Sequence, residues 1–359
     1  LFELHEQETK TDFVVGDLFL GKIKKLAPNL NAAFVNIGTD KDAFLHYQDL
    51  GPQFLSYQKF LKNTISKKQQ SPSLKNFEKV SDINKMGTVD KVLTAGDLVL
   101  LQITKEPIST KGPRISTQIS LTGRFLVLIP FDNKISVSKK VANPEEKTRL
   151  KTLIESIRPE GFGVIIRTVA EGKKVAELHN DMNQLIKKWE TTFKNIQKNK
   201  VPSKILSEED KASSILRDNF NQDFVSIICD DEKMVDDMKA YIEVIAPERK
   251  NIVQFYDSHI PLLEYYNVEK QLKQSFGKHV NIPSSKGAYL VIEHTEALHV
   301  VDVNSGNNIS SANTNKTHAL YVNKMAATEI ARQLRLRDMG GIIVVDFIDM
   351  TDPEHRKEL

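Results

Sequence analysis

The chain has few of the devices that tie a protein to an oxidising compartment or a bilayer. Its 359 residues contain one cysteine, Cys229, so no internal disulfide can form. The surrounding run FVSIICD predicts a packed core thiol in a reducing cytosol. No apolar run approaches the ~18 residues a membrane span needs, and residues 1–20 lack the pattern of a secretion signal. A cytoplasmic protein without a membrane span is therefore expected. There is no Gly-x-x-x-x-Gly-Lys loop and no Gly-x-Ser-x-Gly elbow, which argues against an NTPase and a serine hydrolase. His294, His299 and His318 have no Cys or His partner at zinc-site spacing. The net charge of +3 does not by itself signal a polyanionic partner.

The charge is unevenly spread, however. Residues 59–91 hold eight lysines against three acids, and a second lysine cluster runs from Lys187 to Lys204. The first segment is polar and weakly periodic, as expected of a long surface insertion. Two readings are open for it, a solvated loop and an arm that attracts phosphate. Around it, FVVGDLFLGKIKKLAP, NAAFVNIG, DAFLHYQDL, GDLVLLQITKEP and PRISTQISL read as short strands, the makings of a small antiparallel barrel of the OB type. Phe34 and Phe44 fall at matching places on neighbouring strands. They are either core residues or a platform for bases, with Lys22, Lys24 or Lys111 meeting phosphate. Beyond residue 119 come further strands and a long helix at about 174–198, on which the four-residue spacing of Trp189 and Phe193 predicts core packing. Arg167 and Thr168 sit at a strand end, where a guanidinium beside a hydroxyl suits either a terminal phosphate or a surface ion pair. Residues 205–277 read as an α/β scaffold whose first helix is capped by Ser207.

The last third carries the most pointed pattern. LHVVDVNSG and GGIIVVDFIDM are two aliphatic strands that each deliver an aspartate near the end, Asp302 and Asp346. The helix between them, at about 316–337, is expected to stop at Gly340-Gly341 in a left-handed cap. Two carboxylates at a shared sheet edge repel unless a cation intervenes, and a hydrated Mg²⁺ takes one or two carboxylates and keeps several waters. Asn304, two residues on from Asp302, points the same way and could orient a carboxylate, water or substrate. The alternative is a pair of turn-forming or helix-capping aspartates, which suits Asp349 and Asp352 better. Arg332, Arg335 and Arg337 near the helix end are read as dipole-neutralising or RNA-contacting.

EHTEALHVVDVNSG followed by EIARQLRLRDMGGIIVVDFIDM resembles the catalytic region of the ribonuclease E/G family, closest to its ribonuclease G-like branch. The stretch GDLFLGKI…AAFVNIGTDKDAFLH resembles the S1 RNA-binding domain. The resemblance covers almost the whole chain and implies an α+β multidomain protein. In this organisation, 1–11 are a remnant of an RNase H-like module and 12–118 an S1 (OB-type) β-barrel inserted in it, with an insertion at about 52–90. Residues 119–212 form a 5′-sensor α/β domain, 213–277 the RNase H-like module, and 278–359 a DNase I-like α/β catalytic module, truncated at its C-terminus. Asp302 and Asp346 match the family's Mg²⁺-binding catalytic aspartates, and Asn304 matches the asparagine that assists them. Gly123, Val127, Arg167 and Thr168 match a 5′-phosphate pocket. Phe34, Phe44 and Lys111 match the S1 residues that hold RNA.

The resemblance implies a Mg²⁺-dependent endoribonuclease that cleaves single-stranded RNA in rRNA and tRNA processing and mRNA decay. It would be stimulated by a 5′-monophosphate and leave 5′-phosphate and 3′-hydroxyl ends. The family's Cys-Pro-x-Cys zinc link and dimerisation domain are expected to lie outside this chain, which then reads as a fragment of a full-length homo-oligomer, without zinc of its own. The competing reading is an S1-type RNA-binding protein that is catalytically inactive as this chain.

Overall fold

The computed structural model describes residues 1–6, 14–105, 112–208, 211–285, 287–306 and 315–359. They fall into two compact units, Glu8–Gln222 and Leu1–Gln7 with Asp223–Leu359. Among the described residues no helix is long and apolar enough to cross a membrane.

The first unit begins with a closed barrel. β1 (Leu18–Ala27), β2 (Ala32–Asn36) and β3 (Ala43–His46) lead to α1 (Phe54–Ile65), and the barrel continues with β4 (Leu98–Lys105) and β5 (Arg114–Ser116). The strand order is β1-β2-β3-β5-β4, and β4 closes back on β1. β3 and β5 run parallel while the other barrel pairs are antiparallel. This is the five-stranded, OB-type arrangement expected from the strand rhythm.

β1 is buried on both sides, and alternation assigns each residue a core. Phe19 and Ile23 point into the barrel with Val35, Leu45 and Leu101. Leu18 and Leu20 point outward into a second core with Trp189. Side chains of period two on a strand sandwiched between two cores give the unbroken apolar start LFL.

That second core belongs to a four-stranded sheet and its helices. β6 (Leu121–Thr122), β7 (Leu126–Pro130), β8 (Ile135–Val137) and β9 (Phe162–Ile166) form the sheet in the order β6-β7-β9-β8. α2 (Pro144–Ile157) starts on Asn143, whose side chain accepts from the Glu145 and Glu146 amides, with Pro144 at the first helical position. α3 (Val175–Lys198) buries Leu178, Met182, Leu185, Trp189, Phe193 and Ile196 along one stripe, the period of a helix packed on a sheet. β10 (Ser203–Leu206) then pairs with β1, and α4 (Lys211–Asn219) follows. The start of α4, and with it any capping by Ser207, lies outside the described residues.

The lysine-rich insertion departs from the expected solvated loop. Phe54 enters the barrel core, while Tyr57, Phe60, Leu61 and Leu74 enter the second core. Phe60 lies 5.5 Å from Trp189 and 5.9 Å from Phe193 between ring centroids, and Trp189 Nε1 donates to the Pro72 carbonyl at 2.8 Å. The segment is thus a wedge with an aromatic inner face and a lysine-bearing outer one.

In the second unit, β11 (Ile227–Cys229), α5 (Glu232–Ile245) and β12 (Val253–Phe255) form a parallel βαβ crossover. Cys229 is buried. α6 (Leu262–Tyr265) and α7 (Val268–Ser275) lead to a sheet of β13 (His279–Asn281), β14 (Tyr289–His294), β15 (Leu298–Asn304) and β16 (Ile342–Asp346). α8 (Asn315–Leu336) makes the crossover between parallel β15 and β16, and α9 (Pro353–Glu358) ends the chain. α8 does not stop on the glycine pair. Asp338 takes the left-handed position at φ 50°, its amide donates to Arg335, and the Met339 amide reaches back to the Leu334 carbonyl at 2.9 Å. This is a Schellman closure with Asp338 in the usual glycine place. Met339 and Leu334 both pack on the core, which supplies the apolar contact that accompanies the motif. Gly341, at φ 85°, then turns the chain into β16.

Removing the wedge's central ring should be costly. Phe60→Ala is expected to destabilise the protein by ~3–5 kcal/mol, read as a lower denaturant midpoint for the intact chain. A loss no larger than that of a surface substitution would mean that the insertion does not belong to the core.

Candidate active site

Asp302 and Asp346 are register partners. The parallel pairing runs from Leu298↔Ile342 through Val300↔Val344 to Asp302↔Asp346, and the strands of such a pair lie ~4.8 Å apart. Val301 and Val303 of β15, like Ile343 and Val345 of β16, pack with Val322 and Ala326 of α8. By alternation Asp302, Asn304 and Asp346 share the opposite, open face, and both aspartates are exposed. Asn304 Nδ2 donates to Asp302 Oδ2 at 2.8 Å.

Like charges directly opposite one another in a sheet are unfavourable, and among the described residues no cationic side chain pairs with either carboxylate. Nor, among those residues, does any group of three or more His, Cys, Asp or Glu form a metal-binding cluster. The donor set is two carboxylates and an amide on an open surface. That composition fits a hydrated Mg²⁺, which needs one or two carboxylates and fills its other positions with water and phosphate oxygens.

One feature that the sequence did not announce holds this edge in place. Asn323, fully buried on α8, donates to the Ile348 carbonyl at 2.8 Å and accepts from its amide at 3.1 Å, fixing the chain just beyond Asp346. An asparagine on the apolar side of a helix was the available signal, since such a group must find partners when buried. Asp352 caps α9 by accepting from the Glu354 amide, in line with a capping role. Arg332 and Arg335 on α8, and Arg337 just after it, have protein partners. Arg332 bonds Glu329 and the Leu1 carbonyl, Arg335 pairs with Glu3, and Arg337 donates to the Ser275 and Gly277 carbonyls. These bonds account for them without RNA.

A second cluster forms at the edge of the sheet in the first unit. Arg167, at the end of β9, donates to the Gly123 carbonyl at 2.8 Å and to Asp218 Oδ1 at 2.9 Å. Thr168 Oγ1 lies 2.9 Å from Ser138 Oγ, and half-buried Val127 pairs with Ile165 of β9. Gly123, Arg167, Thr168 and Val127 are thus gathered around one corner. The turn that carries Gly123 is built on buried Asp181, which accepts from the amides of Arg124, Phe125 and Leu126 at 2.9–3.0 Å. A Cβ at Gly123 would come within 2.7 Å of the Asp181 oxygens, so only glycine fits there. Burial outweighs the three donors and raises the Asp181 pKa. At Asp218 burial also pushes upward, but the Arg167 and Arg217 bonds prevail and hold the carboxyl below its usual range.

On the barrel, Phe34 and Phe44 are cross-strand partners with ring centroids 5.9 Å apart, both half-exposed. The cation over Phe34 is Lys25, 4.9 Å from the ring centroid. Lys24 is paired with Asp42. Arg114, the register partner of Phe44, is bound by Asp49. Lys111 lies outside the described residues.

Residues 120–359 match the model of the Ribonuclease E/G family. Among curated proteins, Ribonuclease E of a Nostoc species is 35% identical over 340 residues, covering 94% of this chain and 45% of that protein. Ribonuclease E of a Synechocystis species is 33% identical, covering 96% and 47%. Ribonuclease G of Haemophilus influenzae is 32% identical over 359 residues, covering 100% and 69%. The chain therefore spans under half the length of the first two relatives. The match to the family runs from the start of the four-stranded sheet through the acidic edge to the last residue, and the relatives align over nearly all of the rest. On these grounds the chain belongs to the ribonuclease E/G family.

Proposed function

We propose that the protein is a Mg²⁺-dependent endoribonuclease acting on single-stranded RNA. The observation that carries this reading is the in-register carboxylate pair, Asp302 and Asp346, with Asn304 bonded to Asp302. In this reading Asp302 and Asp346 hold the metal. Asn304 ties up one Asp302 oxygen and orients the other, and the open face of the sheet admits a phosphodiester. A Mg²⁺ held there would supply an activated water and neutralise charge on the scissile phosphate; the products expected of this reading carry 5′-phosphate and 3′-hydroxyl ends.

The remaining residues bind and position. The half-exposed Phe34 and Phe44 take bases by stacking, with Lys25 and Lys111 toward phosphate. Arg167 and Thr168, with the Gly123 turn and Val127, receive a 5′-monophosphate, and Arg167 exchanges Asp218 for it. The barrel then acts as an S1 domain, residues 119–212 as a 5′ sensor, 213–277 as an RNase H-like scaffold and 278–359 as a DNase I-like catalytic module. The wider proposal is a cytoplasmic enzyme of rRNA and tRNA processing and mRNA decay, homo-oligomeric at full length. The aromatic pair also favours a second reading, RNA binding without cleavage by this chain.

Asp302→Asn or Asp346→Asn should reduce cleavage of a 5′-monophosphorylated, AU-rich RNA by at least about a hundredfold while RNA binding and thermal stability persist. Loss of folding instead would mark the aspartates as structural. Chelation of divalent ions should stop cleavage and added Mg²⁺ restore it; binding with no Mg²⁺-stimulated hydrolysis at any protein concentration would favour the second reading. Arg167→Ala should slow cleavage of 5′-monophosphate RNA by about 10–100-fold, the worth of a charged hydrogen bond, and leave 5′-hydroxyl RNA little changed. Equal slowing of both substrates would remove the sensor role.

A further inference from the structure

The outer side of α3 carries three lysines along a polar stripe, with Glu190 at its flank. Asn180, Gln184, Lys187, Thr191, Lys194 and Lys198 follow one another at helical spacing and are all exposed, spanning about 27 Å at 1.5 Å per residue. The stripe is extended by the insertion. Gln197 Nε2 donates to the Gln69 carbonyl at 3.3 Å, which sets the turn bearing exposed Lys67 and Lys68 against the last turn of α3. Lys200, also exposed, follows directly.

Some lysines on this unit are partnered, as in Lys24 with Asp42, Lys59 with Glu78 and Lys173 with Glu177, while others, such as Lys62 and Lys151, are exposed without an ion pair among the described residues; what sets this face apart is the alignment of its lysines along one helix. Lys67, Lys68, Lys187, Lys194, Lys198 and Lys200 have no ion pair among the described residues. Glu190, three residues after Lys187 and four before Lys194, makes no ion pair with either among the described residues and lines a cavity with Lys75 and Glu160. Compensation of the helix dipole does not account for the stripe, because that effect fades within the last turn and Lys187 lies three turns earlier. Like charges at positions 194 and 198 weaken a helix slightly, a repulsion that a bound polyanion would relieve. Every aromatic on the two segments is buried or half-buried, which leaves no stacking platform. The chemistry offered is phosphate binding alone.

We propose that this face is a second RNA site, one that takes the phosphodiester backbone without regard to sequence and extends the hold on long RNA beyond the Phe34–Phe44 surface. The inference rests on RNA being the substrate. The lysines are spaced along a rigid helix that the Phe60–Trp189 contact anchors, so the charges are held in a fixed line and are not on a mobile arm.

The test compares the wild-type chain with a variant carrying Lys67→Gln, Lys68→Gln, Lys194→Gln and Lys198→Gln. Binding is measured by fluorescence anisotropy in chelator, with poly(U) of about 30 nucleotides and of about 6 nucleotides, the shorter lying within the span of one OB-type barrel. The variant should bind the long RNA roughly tenfold more weakly, with the salt slope reduced by about 0.7 for each phosphate that is no longer neutralised. Its affinity for the short RNA and its thermal midpoint should be unchanged. Unchanged affinity and slope on the long RNA would overturn the proposal, as would an equal loss on both lengths. If the variant loses long-RNA binding while neither protein cleaves with Mg²⁺, the lysine site stands and the nuclease reading fails. If the wild type binds neither RNA, both fail.

Discussion

Parallel, in-register pairing of β15 with β16 is the constraint on which the candidate chemistry depends. Register in a sheet is all-or-none. A slip of one residue would send Asp346 to the helix side and bring Val345 to the open face. The fold guards the register from several directions. The apolar residues Val301, Val303, Ile343 and Val345 fit only the α8 side. The Schellman closure at Asp338 and Met339 sets where the chain re-enters the sheet, and Asn323 pins Ile348 just past the second aspartate. Each element lies away from the open face, yet together they bring two acids 44 residues apart in sequence to adjacent positions.

A different logic organises the first unit. There the barrel and the four-stranded sheet share β1, whose alternate residues feed two cores, and the insertion wedges Phe54 into one core and Phe60 into the other. Ring-to-ring contacts among Phe60, Phe131, Trp189 and Phe193 fill the second core. The Phe34–Phe44 surface and the Arg167 corner therefore belong to one packed body.

Much of this was legible in the chain because it is local. Alternating apolar runs marked the barrel strands and both acid-bearing strands, and helical spacing marked α3 with Trp189 and Phe193 on its buried side. What escaped was long-range or depended on one residue breaking a preference. Nothing near Phe60 announces that its partner is Trp189, more than a hundred residues away, so a polar segment with two scattered aromatics, Phe60 and Phe77, read as solvated. Gly340-Gly341 looked like the helix stop, but the aspartate two residues earlier tolerates the left-handed conformation well enough to take that role. Asp181 and Asn323 are ordinary polar residues in helical sequence until the backbone groups they satisfy are brought to them by tertiary folding. Lys25 was passed over for its neighbours Lys22 and Lys24 because the bulge in β1 between Ile23 and Lys25 shifts which lysine lies over the aromatic ring.

The ion pair between Arg167 and Asp218 has an effect of its own. An anion arriving at Arg167 enters a position already held by a carboxylate of the same chain, so its affinity is a difference between two charge-assisted bonds. A monoanion gains little by such an exchange. A terminal phosphate monoester carries close to two negative charges at neutral pH and three acceptor oxygens, so under the proposed role it would compete better with the aspartate. In the proposed sensor role, the resident carboxylate would thereby favour a doubly charged terminal phosphate over common small anions.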